Sequence, residues 1–424
     1  MTDEQGPTWV GEVDLGDPAG LQVDPGFRAA RLLVTVGGDA VGQVTVPLVD
    51  GRADAVTVAE CIRAQLGSLP APREVPASVE PITVVVATRG RARSLGRCVR
   101  AVLAGDHPAV TVLVVDNDPA DDATAKAVAA IGDERVRYIR ETRRGASVGR
   151  NRGLAEARTR LVAFTDDDTE VDGSWARRLA GAFAADPQLV CVSGPVLAAR
   201  LTSPEEIVAD SALGWSKGFV PRRFSLAEPP ADSAIFPFAP GLLGIGANLA
   251  VRADVALAVG GFDESLGPGT RARSGEDCEF LVRLVLAGHA TGYEPAAWVW
   301  HHHRPDTAAL REQVEGYAVG LAGFLTKVAL SPQGRMVALR RIPAAVRQLS
   351  RIAESQSGAE GLSTSSTRTR RRGMLTGPWI YLRSRRAARR SGGRVPPLMP
   401  EQSERPRGGG GGGPRRHEAV FSLR

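Results

Sequence analysis

The chain has 424 residues, of which 43% are hydrophobic and 24% charged, and a formal net charge of +6. This length allows two or three domains with a sizeable buried core. Its four cysteines have no CxxC spacing, which argues against a disulfide scaffold or a cysteine-based zinc site and favours a reducing compartment. We find neither a signal-peptide pattern nor ~18 uninterrupted apolar residues, so no leader or transmembrane helix is expected.

The charge is unevenly distributed. Residues 331–424 contain 20 Arg and 5 acidic residues, whereas the preceding part contains 33 basic and 42 acidic residues. Only three Lys accompany 50 Arg, so coding bias explains part of the arginine excess. The contrast between a mildly acidic body and a strongly basic tail remains after that allowance.

Residues 1–67 are predicted to form a small β-rich unit. Two β-branched runs, Arg31–Val36 and Gly42–Leu48, flank a Gly-Gly turn that indicates a hairpin. Residues Val58–Leu66 then have helical spacing, with Thr57 as a candidate N-cap. The proline-rich segment 68–81 is the expected linker to the next domain.

From Ile82 the pattern changes to alternating strands and helices. Each predicted strand is a continuous apolar run, typical of parallel strands that are covered on both faces. The expected strands are Ile82–Ala87, Val110–Val115, Val136–Ile139 and Leu161–Thr165, and the expected helices are Ser94–Ala104, Ala120–Ile131 and Val148–Ala157. This alternation predicts an α/β fold with a doubly wound, Rossmann-like sheet.

Polar residues follow three of these strands directly. They are Thr88 and Arg89, Asp116 and Asn117, and the triplet Asp166, Asp167 and Asp168. Because ligands of such sheets bind beyond the carboxyl ends of the strands, we expect these side chains to face one crevice.

The Asp triplet is a candidate metal site. Two carboxylates at i and i+2 past a strand end can reach one hard cation such as Mg²⁺ or Mn²⁺, for which oxygen ligands are preferred. An ordinary Asp-rich turn explains the same three residues, and the pattern alone does not decide between these interpretations.

Two further polar motifs lie downstream. Glu276 and Asp277 begin a predicted helix, Asp277–Ala287, where an acid can act as a general base or simply favour the helix dipole. His301 is the first of three successive histidines after an apolar segment. An imidazole here can complete a metal site, although successive side chains of an extended segment alternate in direction.

Taken in order, these motifs resemble family 2 glycosyltransferases of the GT-A fold, over about residues 82–324. The matching segments are Val84–Arg91 (VVVATRGR), Val114–Asn117 (VVDN), Gly145–Gly153 (GASVGRNRG), Phe164–Asp168 (FTDDD), Gly260–Glu264 (GGFDE) and Gly275–Asp277 (GED). One departure is Gly149, which stands where the family usually has Ala. Residues 1–67 and the basic tail lie outside the resemblance.

The resemblance implies roles for individual residues. A nucleotide-diphosphate sugar donor would contact Thr88, Arg89, Asp116, Asn117, Arg150, Asn151, Asp166 and Asp167, and a divalent cation (Mg²⁺ or Mn²⁺) would be held by Asp168, Asp166 and His301. Asp277 would be the general base for an acceptor hydroxyl, with Glu276 and Trp215 on the acceptor side. Family members invert the anomeric centre, so a single displacement is expected. The acceptor class stays open: a glycan, a lipid or a small molecule.

Two other functions remain as alternatives. A nucleotidyltransferase acting on a sugar phosphate has a similar sheet and acidic metal site. Such enzymes typically have a Gly-rich loop and a Lys after the first strand, and the segment Ala87–Arg91 lacks both the repeated Gly and the Lys. A catalytically inactive GT-A binding module is the other, against which the intact acidic residues argue.

The resulting domain prediction assigns 82–330 to the GT-A domain, 331–390 to a basic helical extension and 391–424 to a disordered tail. The segment Trp379–Arg386 interleaves apolar residues with Arg and suits an anionic membrane surface, and a solvated tail is the other open interpretation. No nucleic acid partner is expected, because no base-reading motif is present. Gly/Ser-rich segments bury little area, so removal of residues 355–424 is expected to leave catalysis nearly unchanged. The predicted location is the cytoplasm, with peripheral contact at the inner face of the membrane.

Overall fold

The computed structural model describes residues 6–16, 19–67, 75–76, 78–213, 216–239, 241–303, 307–341 and 364–399. In this part of the chain, no helix combines the length and apolarity needed to cross a membrane. The central element is an eight-stranded, mainly parallel sheet with helices on both faces, and a small β-rich unit precedes it. The predicted α/β fold of the GT-A type is confirmed.

The N-terminal unit is a three-stranded sheet with one helix and a small two-stranded ribbon. Its strands are β1 (Thr8–Asp14), β2 (Leu21–Gln22), β3 (Ala29–Val36), β4 (Asp39–Pro47) and β5 (Arg52–Ala53), followed by α1 (Ala55–Leu66). The predicted hairpin is present as β3 and β4, with Gly37 and Gly38 at positive φ in its turn. The cap of α1 is Asp54 and not Thr57, because the Asp54 side chain accepts a hydrogen bond from the Thr57 backbone N–H at 2.7 Å.

The large sheet has the strand order β13-β15-β11-β14-β9-β6-β7-β8. Its strands are β6 (Ile82–Thr88), β7 (Val110–Asn117), β8 (Val136–Glu141), β9 (Leu161–Asp166), β11 (Leu189–Ser193), β13 (Arg222–Phe224), β14 (Asn248–Arg252) and β15 (Ala290–Tyr293). The four predicted strands are β6 to β9, and they pair in parallel. Strand β14 is antiparallel to both of its neighbours, β9 and β11.

A second sheet of three short strands lies beside the end of β9. It consists of β10 (Thr169–Val171), β12 (Val196–Ala198) and β16 (Val299–His301), with β16 in the middle. The register pairs Thr169 with His301, so the strand that follows the Asp triplet runs next to the strand that ends in histidine.

Helices cover both faces of the large sheet. They are α2 (Ala92–Leu103), α3 (Ala123–Ile131), α4 (Ala146–Glu156), α5 (Trp175–Ala185), α6 (Pro204–Leu213), α7 (Ala253–Ala258), α8 (Glu276–Leu286), α9 (Thr307–Leu330), α10 (332–341) and α11 (Thr364–Arg390). One core cluster lies under α2 and α5, and the other under α4 and α8. In the second cluster Phe262 stacks on Phe280 with ring centroids 4.4 Å apart.

The C-terminal helix α11 packs along α9. Gly373 and Gly377 face Ala318 and Ala322, and a Cβ atom built on Gly377 would lie 2.4 Å from the Ala322 Cβ. On the same side of α11, Tyr381 is buried and Ser384 donates a hydrogen bond to the Ser265 carbonyl at 2.7 Å. The expectation that residues 355–424 bury little area is therefore wrong for α11, because glycines in its sequence allow close packing of two helices.

The N-terminal unit packs against the second sheet. Leu33 and Ala40 form a buried cluster with Leu197 and Trp298. A buried ion pair joins Asp39 of the unit to Arg178 of α5 at 2.7 Å. The domain boundaries themselves stay predictions, as does disorder of the tail, which lies mostly outside the described residues.

Candidate active site

A cleft of about 950 Å³ opens at the carboxyl ends of β6 and β9. The predicted residues that line it are Thr88, Arg89, Asn117, Arg150, Asp166, Asp167, Asp168, Glu276, Asp277 and His301. The structure thus brings together the strand-end acids, the helix α8 acids and one histidine, as the chain order of the motifs predicted. Asp116 and Asn151 do not line the cleft, and Trp215 lies outside the described residues.

Asp167 is anchored at the cleft floor. Its carboxylate accepts a hydrogen bond from the Thr88 hydroxyl at 2.6 Å and another from the Arg91 guanidinium at 2.9 Å. Burial raises the pKa of Asp167 to about 6, and Arg91 opposes that shift. These contacts fix the loop between β9 and β10 and orient its neighbour, Asp168.

Asp168 lies between the Arg91 guanidinium and the His301 imidazole. Arg91 Nη1 donates to its Oδ2 at 2.7 Å, and His301 Nε2 lies 3.3 Å from its Oδ1. Burial by itself would raise the pKa of Asp168, but His301 and Arg91 outweigh burial and hold this pKa well below its usual range. Asp168 is therefore a carboxylate at neutral pH, as a metal ligand must be.

Asp168 and His301 fit one divalent cation. Neighbouring ligands of an octahedral ion with ~2.1 Å bonds are ~3 Å apart, close to the separation of Asp168 Oδ1 and His301 Nε2. Within the described residues, no three His, Cys, Asp or Glu side chains converge on a single point. Mg²⁺ sites typically use one or two carboxylates and leave the remaining positions to substrate phosphates and water, and Asp168 supplies one such carboxylate.

Arg150 connects the two acidic groups of the cleft. Its guanidinium donates to Asp166 at 2.8 Å and to Glu276 at 2.7 Å, and its side chain is almost completely buried. Burial, followed by the charge of Asp277, raises the pKa of Glu276 to about 7, while Arg150 opposes the rise. Arg150 was expected near the diphosphate; the structure places its charge between these two carboxylates.

Asp277 lies at the first turn of α8 and is partly exposed to the cleft. Gly275 precedes the helix at φ 91°, and a Cβ atom there would approach the Gly320 carbonyl oxygen to 2.9 Å, so only glycine allows this start. One carboxylate oxygen of Asp277 accepts the Gly246 N–H at 2.9 Å. The other accepts the backbone N–H of Cys278 at 2.7 Å, which leaves both oxygens held in place but still reachable from the cleft.

Three predicted donor-site residues have mainly structural contacts. Asp116 is buried and accepts a hydrogen bond from the Tyr138 hydroxyl at 2.9 Å, and burial raises its pKa. Asn117 binds the Gly145 N–H at 2.7 Å and so shapes the turn into α4. Asn151 exchanges hydrogen bonds with the backbone of Phe262, which ties α4 to the Gly260–Glu264 motif.

Sequence reasoning missed several cleft residues. Arg91 is the most important, because it contacts Asp167 and Asp168, whereas its neighbour Arg89 instead pairs with Asp118 at 3.0 Å. The sequence offered one signal for Arg91, which is that it is a basic residue shortly after the first strand of the resemblance, β6. The other missed lining residues include Arg144, Lys217, Tyr317 and Met374. They come from loops and from α9 and α11, where no motif marks them.

Comparisons with known proteins bear on the family that this chain resembles. Residues 83–202 match the model of the family described as glycosyl transferase family 2. The resemblance to family 2 glycosyltransferases is confirmed. The matched segment contains the strand-end residues Thr88, Asp116 and Asp166–Asp168, while α8 and His301 lie beyond it.

Two curated relatives illustrate the extent of the similarity. The pre-mycofactocin glycosyltransferase of Mycobacterium tuberculosis is 30% identical over 224 residues, which cover 53% of this chain and 43% of that protein. The succinoglycan biosynthesis protein ExoO of Rhizobium meliloti is 28% identical over 292 residues, with 62% and 73% coverage. The chain therefore spans less than half the length of the mycobacterial relative.

One solved structure is similar over most of its length. It is the mannosyltransferase PcManGT from Pyrobaculum calidifontis, in complex with GDP-Man and Mn²⁺. The two chains are 16% identical with a TM-score of 0.44, and the match covers 75% of this chain and 90% of the other.

Proposed function

We propose that this protein transfers a sugar from a nucleotide-diphosphate sugar to an acceptor hydroxyl, with inversion and with a divalent cation. The observation that carries the proposal is the single cleft that contains both Asp168 with His301 and, from another element, Asp277. The family match over residues 83–202 supports the transferase class. Substrates and acceptor are part of the proposal.

On the donor side, Asp168 and His301 would hold Mg²⁺ or Mn²⁺. The bound cation would neutralise the diphosphate leaving group as a Lewis acid. Arg91 fixes the Asp168 carboxylate and adds a positive charge beside it. Arg144, exposed at the cleft wall, is positioned to meet donor phosphates as well.

On the acceptor side, Asp277 would accept the proton of the attacking hydroxyl. The Gly246 N–H fixes the orientation of its carboxylate, which favours proton transfer to one defined position. Glu276 cannot take this role in the same way, because it is buried and bonded to Arg150. A single base opposite the donor phosphates suits direct displacement without an enzyme-bound intermediate.

The proposed setting is the cytoplasm, near the inner face of the membrane. The separated cysteines favour a reducing compartment, and two of them, Cys98 and Cys191, are buried free thiols. The acceptor class remains a glycan, a lipid or a small molecule. The name of the Rhizobium meliloti relative, a succinoglycan biosynthesis protein, supports a glycan among these, and a glycan of the cell envelope is the kind that we propose.

A donor panel tests the proposal. UDP-, GDP- and dTDP-sugars are incubated with the protein and Mn²⁺ or Mg²⁺, and released nucleoside diphosphate is measured. Release from one donor class, with the sugar recovered on an acceptor or on water, supports sugar transfer. Pyrophosphate release from a nucleoside triphosphate and a sugar phosphate would instead identify a nucleotidyltransferase, and no turnover together with no donor binding would contradict the proposal.

A further inference from the structure

The outward face of helix α11 carries large apolar side chains. Leu375 is 82% exposed and Trp379 is 59% exposed. Together with the half-buried Leu382, they recur at i, i+4 and i+7, so they form one stripe on the helix surface. An exposed tryptophan and leucine on one stripe are unusual for a solvated helix.

Arginines surround this stripe at both ends. Helix α11 contains nine Arg and no acidic residue. The exposed arginines on the same side of the helix as this apolar stripe are Arg371, Arg372, Arg383, Arg386, Arg389 and Arg390. Within the described part of the chain, no ion pair involves any of these six. Their charge is therefore available to an anionic partner.

The opposite face of α11 fixes the helix on the domain. Gly373, Gly377, Tyr381, Ser384 and Ala388 are buried there, and the first two lie in close contact with α9. This packing holds the apolar stripe and its arginines in one outward direction. The surface is therefore preformed and needs no folding of α11 on binding.

We propose that this face of α11, centred on Leu375 and Trp379, docks on an anionic membrane surface. A helix with Trp and Leu on its outer stripe and Arg around it lies in the plane of the lipid headgroups, with its apolar side chains in the acyl boundary. The spacing of the arginines suits this orientation, since Arg372 and Arg389 are ~25 Å apart along a helix with ~1.5 Å rise per residue. The arginines on two copies of this face would repel each other, so a second copy of the chain does not suit this surface.

The docking surface adjoins the cleft. Met374, one residue before Leu375, lines the cleft wall. Docking would therefore place the cleft mouth at the membrane surface, where an acceptor anchored in the membrane can reach Asp277. This consequence for the acceptor rests on the proposed sugar transfer, whereas the docking itself does not.

Vesicle cosedimentation tests the docking without any sugar nucleotide. The full chain is mixed with phosphatidylcholine vesicles, with or without phosphatidylglycerol, at low and high salt. The double variant Leu375→Ser/Trp379→Ser is compared with Val49→Ser/Val56→Ser, which changes two exposed apolar residues of the N-terminal unit. Thermal unfolding of all three proteins checks that each is folded.

We expect the wild type and the Val49/Val56 variant to bind anionic vesicles and to be released by salt. The Leu375/Trp379 variant should bind at least about tenfold more weakly, because two apolar side chains no longer leave water. Equal binding by all three proteins, or no binding by the wild type, would overturn the proposal. Nucleic acid binding that is retained in the Leu375/Trp379 variant, without vesicle binding, would instead identify the arginines as a phosphate-backbone site. Because donor turnover is not measured, failure here is distinct from failure of the proposed transferase.

Discussion

The guanidinium of Arg150 lies 2.7 Å from the carboxylate of Glu276, and both side chains are buried. The contact joins helix α4 to helix α8, and the second arm of Arg150 reaches Asp166 at 2.8 Å. The Arg150 guanidinium therefore connects the end of strand β9, on the donor side, to helix α8, which carries Asp277. The geometry of the cleft depends on this bridge.

The Arg150→Met substitution should lower the free energy of unfolding relative to the wild type. It leaves the Glu276 carboxylate buried without its partner, a situation that typically costs about 3–5 kcal/mol. Arg152→Met is the matched control, because Arg152 lies on the same helix but is exposed, pairs with Glu156 at the surface and approaches the buried Glu141 only to 3.9 Å. Denaturant unfolding of both variants measures the difference. Similar stabilities for the two variants would show that the bridge contributes little.

The pH dependence of stability should include Glu276. Its pKa rises from 4.5 to about 7 on folding, so the folded state binds a proton that the unfolded state releases between these values. The contribution of Glu276 to stability is thus present below the lower pKa and is lost as pH rises through about 7. Relative to Glu276→Gln, which does not titrate, the wild type should become less stable over this range. A difference in unfolding free energy that stays constant with pH would contradict this assignment.

Donor binding and turnover should require a divalent cation. Asp168→Ala should abolish both, because it removes the carboxylate that lies beside His301, and it should also lower thermal stability, because Arg91 loses one of its partners. Glu134→Ala, at an exposed acid before β8, is the control and should behave as wild type. Binding of a nucleoside diphosphate with and without Mn²⁺ is measured by calorimetry. Undiminished turnover in excess chelator would exclude the metal role.

Asp277→Asn should separate catalysis from donor binding. The amide keeps the size of the side chain but cannot accept a proton, and loss of a positioned base typically lowers the rate by ~10²–10⁴-fold. Donor affinity should be retained, since Asp168 and His301 are unchanged, and this pattern marks a group that acts in the transition state. If Asp277 only favours the start of α8, transfer should stay near normal. Transfer rate and donor affinity are therefore measured on the same variant.

The contact between α9 and α11 should tolerate no side chain at Gly377. Gly377→Ala places a methyl group 2.4 Å from the Ala322 Cβ, so the helices must separate, at a cost of typically about 1–3 kcal/mol. Thr376→Ala, one residue away and exposed, is the control. The melting temperature should fall clearly for the first variant only. Equal melting temperatures would mean that the helices adjust without loss of packing.

Much of the sheet could be predicted because its central strands are continuous apolar runs. Strands β6, β7 and β9 lie where Ile82, Val110 and Leu161 begin such runs, and polar residues at their carboxyl ends line the cleft. Strands β11, β13, β14 and β15 were not predicted. They are short, and their order in the sheet depends on tertiary pairing that no local pattern encodes.

The site residues show the same limit. Acids at strand and helix ends, such as Asp168 and Asp277, are marked by their position next to periodic segments. The partners of these charged groups are not marked in the sequence. Arg91 contacts Asp168, and Arg150 contacts Glu276, and both contacts join residues that are far apart in the chain. The expectation that residues 355–424 bury little area treats them as Gly/Ser-rich segments, whereas Gly373 and Gly377 of α11 allow close helix packing in the fold.

The position of α11 also has a consequence for protein synthesis. A ribosome releases the strands that carry Asp116 and Asp166 long before Gly377 and Tyr381, and amino-terminal parts of a chain generally fold first. The nascent sheet and α9 are then complete while the surface around Ala318 and Ala322 is still uncovered. Until α11 emerges, that surface is open to chaperones, and the cleft lacks the wall formed by Met374.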